Sequence, residues 1–218
     1  MRSDLETSRR SVGSWGHPSI ARARLVREFA EGRIVDVGCS TDAYTAQVLT
    51  AGRFAVGVDL LEPTAPQVVP FLVADALALP FRPGSFETVL CFETLEHIPD
   101  PERALREMGR VASRIVLTVP NCDQPREFKA AGLAFHHWVD RTHVNFFDSK
   151  TLRDTLEREG WTVQWLGLIN PVAPEVLALT SWHLPPHAAR WIGALCKRLP
   201  LRRRYYMTVA AVADRGVR

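Results

Sequence analysis

The sequence has few cysteines, no long apolar run and no internal repeat. None of its four cysteines belongs to a C-x-x-C pair, so a disulfide, redox or metal role for them is not indicated. No uncharged apolar stretch approaches the roughly 20 residues that span a bilayer. The N-terminal residues also lack the apolar core of a signal peptide. We therefore expect a cytoplasmic protein with reduced cysteines and no stable membrane insertion.

Lysine is also scarce, because nearly all of the basic residues are arginine. The chain has 27 lysine and arginine residues against 24 acidic ones, a net charge of +3, and lysine occurs only at positions 129, 150 and 197. The basic cluster between Lys197 and Arg204 has no interleaved aromatic residues, and no RNA-binding signature accompanies it. We interpret this cluster as a solvated face and expect no nucleic-acid partner.

The apolar and turn residues predict strands that alternate with helices. The predicted strands are Arg33–Val37, Phe54–Asp59, Val68–Ala74, Phe86–Phe92, Arg114–Val119, Trp161–Leu168 and Tyr205–Val212. The predicted helices are Pro18–Glu31, Asp42–Ala51, Pro101–Val111 and Lys150–Glu159, the last two capped by Asp100 and Ser149. This alternation is typical of a doubly wound α/β domain, whose parallel sheet binds ligands beyond the carboxyl ends of its strands.

The 218 residues are enough for one domain. We interpret residues 1–17 as a loose polar segment and residues 18–218 as a single domain. Two segments break the alternation: residues 121–148 are irregular and rich in histidine and aromatic residues, and residues 171–204 contain two predicted amphipathic helices. Because long loops in compact domains are usually functional, both segments are expected to contribute to a ligand site or, for the second, to a dimer face.

The ten residues Arg33–Asp42, RIVDVGCSTD, predict the start of a nucleotide-binding βαβ unit. An apolar strand carries one carboxylate, Asp36, and a small-residue turn leads into a helix start at Asp42. The next strand ends at Asp59, about 20 residues past the turn, where a carboxylate for ribose hydroxyls is expected. A pyrophosphate at the helix start would be repelled by Asp42. The ligand is therefore expected to be nucleoside-like, and an NAD-dependent dehydrogenase is the least favoured interpretation.

Further short motifs follow this turn in a fixed order. They are Asp36-x-Gly38-x-Ser40, Asp59, Asp75-Ala76, Phe86–Val89, Leu95–Ile98 and Val119–Asn121. The ordered set resembles the class I S-adenosylmethionine-dependent methyltransferases over about residues 20–170 and 205–213. The resemblance implies a Rossmann-like fold with a seven-stranded, mostly parallel sheet whose last strand is antiparallel.

The resemblance implies S-adenosylmethionine as the cofactor. This molecule is a cation with an ammonium group, a ribose diol and an adenine amine, all of which suit carboxylates. By resemblance, Asp36 and Gly38 contact the methionyl end and Asp59 holds the ribose hydroxyls. Asp75 accepts from the adenine amine, and Ala76 flanks the ring. The rest of the expected cofactor-binding set is Ser40, Leu60 and Phe92.

The sequence departs from the family's G-x-G-x-G pattern at Ser40 and Asp42. Ser40 adds a side chain where the backbone is expected to need an unusual φ. The carboxylates also have a purely structural interpretation, in which Asp59 and Asp75 terminate strands. The missing glycines motivate an alternative function, a non-catalytic protein that binds S-adenosylmethionine.

Three side chains are candidate catalytic residues. Glu96 and His97 are predicted where the fourth strand ends, next to the sulfonium, and His143 lies in a His-x-x-Phe-Phe segment that resembles small-molecule methyltransferases. A neutral histidine there would take a proton from an acceptor hydroxyl. The alternative is that His143 caps a helix or packs beside aromatic residues.

A magnesium ion that clamps an acceptor diol is a further expectation, since such ions are known in sugar O-methyltransferases. The oxygen donors available for it are Asp140, Glu96 and Asp123. Zinc is less favoured, because the segment lacks a closed set of thiolates or imidazoles. The alternative is a polar loop with no metal.

The resemblance therefore predicts an S-adenosylmethionine-dependent O-methyltransferase whose acceptor is a hydroxyl of a small molecule. A sugar or oligosaccharide is the favoured acceptor, and residues 121–148 and 171–204 are expected to shape its pocket. A quinone or phenolic lipid is the alternative, because the insertion Pro171–Leu201 is basic and apolar. A homodimer is a further expectation.

Overall fold

The computed structural model describes residues 20–40, 43–63, 66–123, 140–172, 185, 187–188, 191–192 and 205–216. Within these ranges one sheet has the strands β1 (Ile34–Val37), β2 (Ala55–Asp59), β3 (Phe71–Val73), β4 (Phe86–Phe92), β5 (Ala112–Pro120), β6 (Thr162–Val172) and β7 (Tyr205–Asp214). Their order is β3-β2-β1-β4-β5-β7-β6. The first five strands are parallel, and β7 is antiparallel to both β5 and β6. The predicted seven-stranded fold is confirmed.

Helices cover both faces of the sheet, and each face has its own apolar core. The helices are α1 (Ile20–Phe29), α2 (Ala43–Thr50), α3 (Pro101–Val111) and α4 (Ser149–Arg158), with a 3-10 turn at Leu95–His97. Leu25 and Val48 bring α1 and α2 into one buried cluster, whereas Leu105 and Leu152 bring α3 and α4 into the other. None of the helices in the described part of the chain is long and apolar enough to cross a membrane.

The largest differences from the predicted strand bounds occur at β3 and β6. The prediction started the third strand at Val68, but β3 begins after Pro70, which has no N–H to donate to a ladder. The sixth strand was predicted to end at Leu168, yet β6 continues to Val172, which pairs with Tyr205 of β7. The first two residues of the predicted insertion thus belong to the sheet. The loose segment 1–17 and most of the insertion lie outside the described residues.

The cap of α4 is Asp148, and the prediction of Ser149 as the cap is wrong. The Asp148 carboxylate accepts a hydrogen bond of 2.7 Å from the Thr151 backbone N–H, and the Thr151 hydroxyl accepts one of 2.8 Å from the Asp148 N–H. Ser149 is the first helical residue. The predicted cap Asp100 of α3 is confirmed, since its carboxylate accepts from the Arg103 N–H at 2.9 Å.

Replacing the α4 cap tests this assignment. We expect Asp148→Ala to lower the free energy of unfolding by about 1 kcal/mol, the usual cost of losing an N-cap. Hydrogen bonds from the Thr151 backbone and hydroxyl lower the pKa of Asp148 against the effect of its partial burial. The cap's contribution is therefore present above the unfolded-state pKa and is lost as pH falls through the folded-state pKa.

The measurement is urea denaturation at neutral and acidic pH, with Ser149→Ala as the matched control. Ser149→Ala is expected to change stability by only a few tenths of a kcal/mol, as for an ordinary helical position. A larger loss in Ser149→Ala than in Asp148→Ala would contradict the assignment.

Candidate active site

The predicted cofactor-binding residues lie at the carboxyl ends of β1, β2 and β4, with two more after β3. Strand β1 lies between β2 and β4, so their ends meet at one edge of the sheet. The turn after β1 stays attached to β2, because the N–H groups of Gly38 and Cys39 both donate to the Val58 carbonyl, at 2.7 and 3.2 Å. The structure therefore brings the turn after β1 into direct contact with the end of β2, which carries Asp59.

Two residues of the turn have positive φ. Gly38 has φ 77°, and a Cβ added there would overlap with the Thr94 side chain that follows β4. Ser40 has φ 48°, which confirms the unusual backbone expected at this position. The Ser40 N–H donates to the Asp59 carboxylate at 3.1 Å, so the strained residue also links β1 to β2. Asp42 lies outside the described residues.

Asp59 and Asp75 each stabilise the turn that follows their strand. The Leu61 N–H donates to Asp59 at 3.1 Å, and the Leu77 N–H donates to Asp75 at 2.8 Å. Both carboxylates therefore have the structural role that the sequence suggested, which is to end a strand and stabilise the turn after it. It leaves room for a ligand, because each carboxylate oxygen accepts more than one hydrogen bond. Near them, Leu60 is 38% exposed and Ala76 is half-buried against the core.

Asp36 and Phe92 are buried at the ends of their strands. Asp36 is 2% exposed, and its carboxylate accepts a hydrogen bond of 2.7 Å from the Thr45 hydroxyl of α2. Phe92 packs in the core on the α1 side of the sheet. Sequence reasoning missed Thr45, although a hydroxyl in the first turn after a Gly-containing loop was a usable signal. Asp36 thus fixes α2 against β1 beneath the turn.

The candidate catalytic residues come together from two distant parts of the chain. Glu96 and His97 lie in the 3-10 turn after β4, as predicted. Residues 140–147 dock against this turn, because the N–H groups of Val144 and Asn145 donate to the Glu96 carbonyl at 2.9 and 3.1 Å. The Asn145 amide also donates to the Ile98 carbonyl at 2.6 Å. Sequence reasoning gave Asn145 no role, and only its place beside His143 hinted at one.

His97 and His143 form an edge-to-face pair with ring centroids 4.6 Å apart. The Nδ1 atom of His97 lies 3.1 Å from the Thr142 carbonyl oxygen. The Thr142 hydroxyl oxygen lies 3.0 Å from the same Nδ1 and is also an acceptor there, because it donates its own proton to Asp140. With two acceptors beside it, Nδ1 carries the proton and Nε2 keeps a lone pair. Asp140 lies behind His143, with Oδ2 3.8 Å from Nε2 of that ring. Thr142 holds Asp140 through its N–H and hydroxyl, at 2.9 and 2.7 Å.

Burial dominates the electrostatics of this site. It lowers the pKa of His97, and the neighbouring His143 lowers it further, so the ring is neutral near pH 7. Burial also raises the pKa of Glu96, and the charge of Glu93 adds to this effect. Burial alone would raise the pKa of Asp140, but hydrogen bonds from Thr142 outweigh it and lower that pKa.

The structure groups metal donors differently from the sequence prediction. Among the described residues, Glu96, His97 and His143 offer ligand atoms that all lie within 4.8 Å of one another. Asp123 is exposed and outside this group, and its N–H donates to the Asn121 side chain at 3.1 Å. Magnesium prefers oxygen ligands. The group contains two imidazoles and only one of the three predicted magnesium donors, and the set Asp140, Glu96 and Asp123 stays a prediction.

Comparison with known proteins identifies the family. Residues 18–165 match a family model described as a methyltransferase domain. The chain belongs to the class I S-adenosylmethionine-dependent methyltransferases. Its fold is similar to that of 1,6-didemethyltoxoflavin-N1-methyltransferase from Burkholderia thailandensis, with a TM-score of 0.65 and 18% identity over 99% of this chain and 87% of the other. That structure contains bound S-adenosylhomocysteine.

Two curated relatives are similar in part of their length. The demethylmenaquinone methyltransferase of Roseiflexus castenholzii is 38% identical over 119 residues, which cover 50% of this chain and 49% of the relative. The ubiquinone biosynthesis O-methyltransferase of Methylococcus capsulatus is 32% identical over 91 residues, which cover 37% and 38%. The chain thus spans half or less of the length of these relatives.

The contact between Gly38 and Thr94 can be tested with a pair of alanine variants. Gly38 and Gly52 have nearly equal φ, 77° and 75°, but a Cβ at Gly52 meets nothing within 4 Å. We expect Gly52→Ala to lose about 1–2 kcal/mol of stability through its left-handed backbone. Gly38→Ala should lose more, because it also overlaps Thr94. The measurement is thermal or urea denaturation, and equal losses would show that Thr94 does not constrain the turn.

Proposed function

We propose that this protein is an S-adenosylmethionine-dependent O-methyltransferase that acts on a hydroxyl of a small molecule. The observation that carries the proposal is the His97–His143 pair, 4.6 Å between ring centroids, at the carboxyl end of β4. It lies on the same edge of the sheet as the cofactor-binding candidates. A neutral imidazole at this place is suited to remove a proton from a hydroxyl as it is methylated.

The residues present fit the cofactor of this family. The edge carries Asp59 and Asp75, whose carboxylates suit ribose hydroxyls and an amine, and the Gly38 turn lets a ligand approach the backbone closely. When bound, S-adenosylmethionine supplies the electrophilic methyl group. Ser40 adopts the positive φ that glycine would adopt. The missing glycine therefore does not by itself favour a non-catalytic binding protein.

His97 is the base in this proposal, and His143 positions the acceptor beside it. The Nδ1–H of His97 points to the Thr142 carbonyl, so the lone pair on Nε2 is available for the hydroxyl proton. The low pKa of His97 keeps that lone pair free at neutral pH. General-base assistance of this kind typically contributes roughly 10²–10⁴ in rate.

An aromatic hydroxyl, as in a quinol, is the acceptor class we favour. A phenol has a pKa of about 10 and gives its proton to imidazole far more readily than an aliphatic alcohol does. The names of both relatives refer to quinones, and that of the ubiquinone relative specifies an O-methyltransferase, which supports this class. The saccharide acceptor expected from the sequence has no support from these relatives, and the experiment below therefore includes saccharides as an alternative acceptor class.

The central experiment is transfer of tritiated methyl from S-adenosylmethionine to quinols, saccharides and RNA. We expect transfer to a quinol hydroxyl. His97→Ala, which removes the base, should reduce kcat at least a hundredfold, and His143→Ala should also reduce kcat, while the cofactor Kd of both variants, measured by calorimetry, stays within about twofold. Full activity in His143→Ala would overturn its assigned role. Cofactor binding without transfer to any acceptor would favour the non-catalytic alternative.

Asp59→Asn is the complementary variant, because it affects the cofactor side. The amide keeps the shape but loses the charge, and its one acceptor oxygen retains only one of the two backbone hydrogen bonds from Ser40 and Leu61. We expect the Kd for S-adenosylmethionine to rise about tenfold or more, the usual effect of losing a hydrogen bond to a charged group. At saturating cofactor, kcat should be nearly unchanged. An unaltered Kd would show that Asp59 serves the turn alone.

A further inference from the structure

Glu96 is a buried carboxyl group in the described part of the chain, beside the His97–His143 pair. It is 1% exposed, and neither carboxylate oxygen has a hydrogen-bond partner there. The nearby guanidinium of Arg22 pairs with Glu93 at 2.9 Å, and its charge offsets only part of the effect by which burial raises the pKa of Glu96. A carboxyl group buried in this way is either protonated or faced by a donor or a cation.

The group that faces Glu96 cannot donate to it. His97 Nε2 lies 3.9 Å from Glu96 Oε1, and the His97 proton is on Nδ1, where the Thr142 carbonyl accepts it. A lone pair therefore faces a carboxylate oxygen. Two acceptors held in this arrangement repel each other unless a proton on Glu96 or a metal ion lies between them. The His143 ring, 4.6 Å from that of His97, adds a third donor atom to the same space.

We propose that Glu96, His97 and His143 bind a divalent transition-metal ion, with Zn²⁺ as the best match. Two imidazoles and one carboxylate, with a fourth position open, are a known donor set of catalytic zinc sites. Zinc–ligand bonds of about 2.0–2.2 Å place tetrahedral ligands about 3.4 Å apart. The 3.9 Å between Glu96 and His97 is close to this value, and since all three ligand atoms lie within 4.8 Å of one another, side-chain shifts of about 1 Å would bring them together.

Residues around the site orient its ligands. The Thr142 carbonyl fixes the His97 tautomer with Nε2 as the ligand atom, and Asp140 lies 3.8 Å from His143 Nε2. Metal-binding histidines commonly have such a carbonyl or carboxylate behind them, which sets the ring orientation and increases basicity. Asp140 is thus assigned a positioning role, rather than the role of magnesium ligand that the sequence suggested.

The inference goes beyond the proposed function, because metal binding is measured without cofactor or acceptor. If the ion is bound, Glu96, His97 and His143 would hold it, and the ion would supply Lewis-acid polarisation that makes an acceptor hydroxyl more acidic, its proton passing to solvent. Methyl transfer that persists in EDTA would leave His97 as the base. That result separates the proposed function from the metal site.

The test is calorimetric titration of the purified full chain, first treated with EDTA and dialysed, with Zn²⁺ alone. We expect one site per chain that Glu96→Gln and His143→Ala each weaken at least tenfold, in line with the effect of losing a ligand or its support. Cys122→Ser and His187→Ala are matched controls for adventitious binding by a thiol and by an exposed histidine, and should leave the Kd unchanged.

A second readout keeps the test valid if a variant folds poorly. Saturating Zn²⁺ should raise the Tm of the wild-type protein through preferential binding to the folded state, and should not raise the Tm of Glu96→Gln. Cobalt provides a third readout. Co²⁺ should give the visible absorption of a four-coordinate site with the wild-type protein and not with Glu96→Gln. An equal Zn²⁺ affinity in wild type and Glu96→Gln would overturn the proposal, as would loss of binding in Cys122→Ser.

Discussion

The docking of residues 140–147 onto the 3-10 turn is the contact on which the candidate site depends. A single carbonyl, that of Glu96, accepts from two consecutive N–H groups, and Asn145 adds a side-chain hydrogen bond to the Ile98 carbonyl. Because these bonds involve mainly backbone atoms, they position the loop almost independently of the side chains that the loop presents. His97 lies on the 3-10 turn and His143 on the docked loop, so these hydrogen bonds bring the two imidazole rings together.

The fold could be predicted from sequence because its elements are locally determined. The buried parallel strands are rich in apolar residues, and Pro101 behind Asp100 indicates a helix start without tertiary information. The predicted ends of elements that were wrong are those set by contacts with other residues. The end of β6 is set by its pairing with β7, and the cap of α4 was decided by the reciprocal bonds between Asp148 and Thr151. Neither partner is visible from composition or periodicity.

The site was predictable residue by residue but not as an arrangement. The sequence indicated His97 and His143 separately, and 45 residues lie between them in the chain. Their contact needs the hydrogen bonds of Thr142 and Asn145, which carry no motif of their own. The tautomer of His97 is set by a backbone carbonyl and could not have been predicted from side chains. Asp123, placed in the metal set by charge alone, lies outside the donor group.

The pairing of Val172 with Tyr205 has a consequence for the segment that joins β6 to β7. The two residues are neighbours across an antiparallel ladder, so residues 173–204 leave and return to the sheet at adjacent points. The cost of closing a segment grows only slowly with its length once its ends are fixed. This segment can therefore lengthen, shorten or be replaced without disturbing the pairing of β6 with β7, so changes in its sequence and the stability of the sheet are separable.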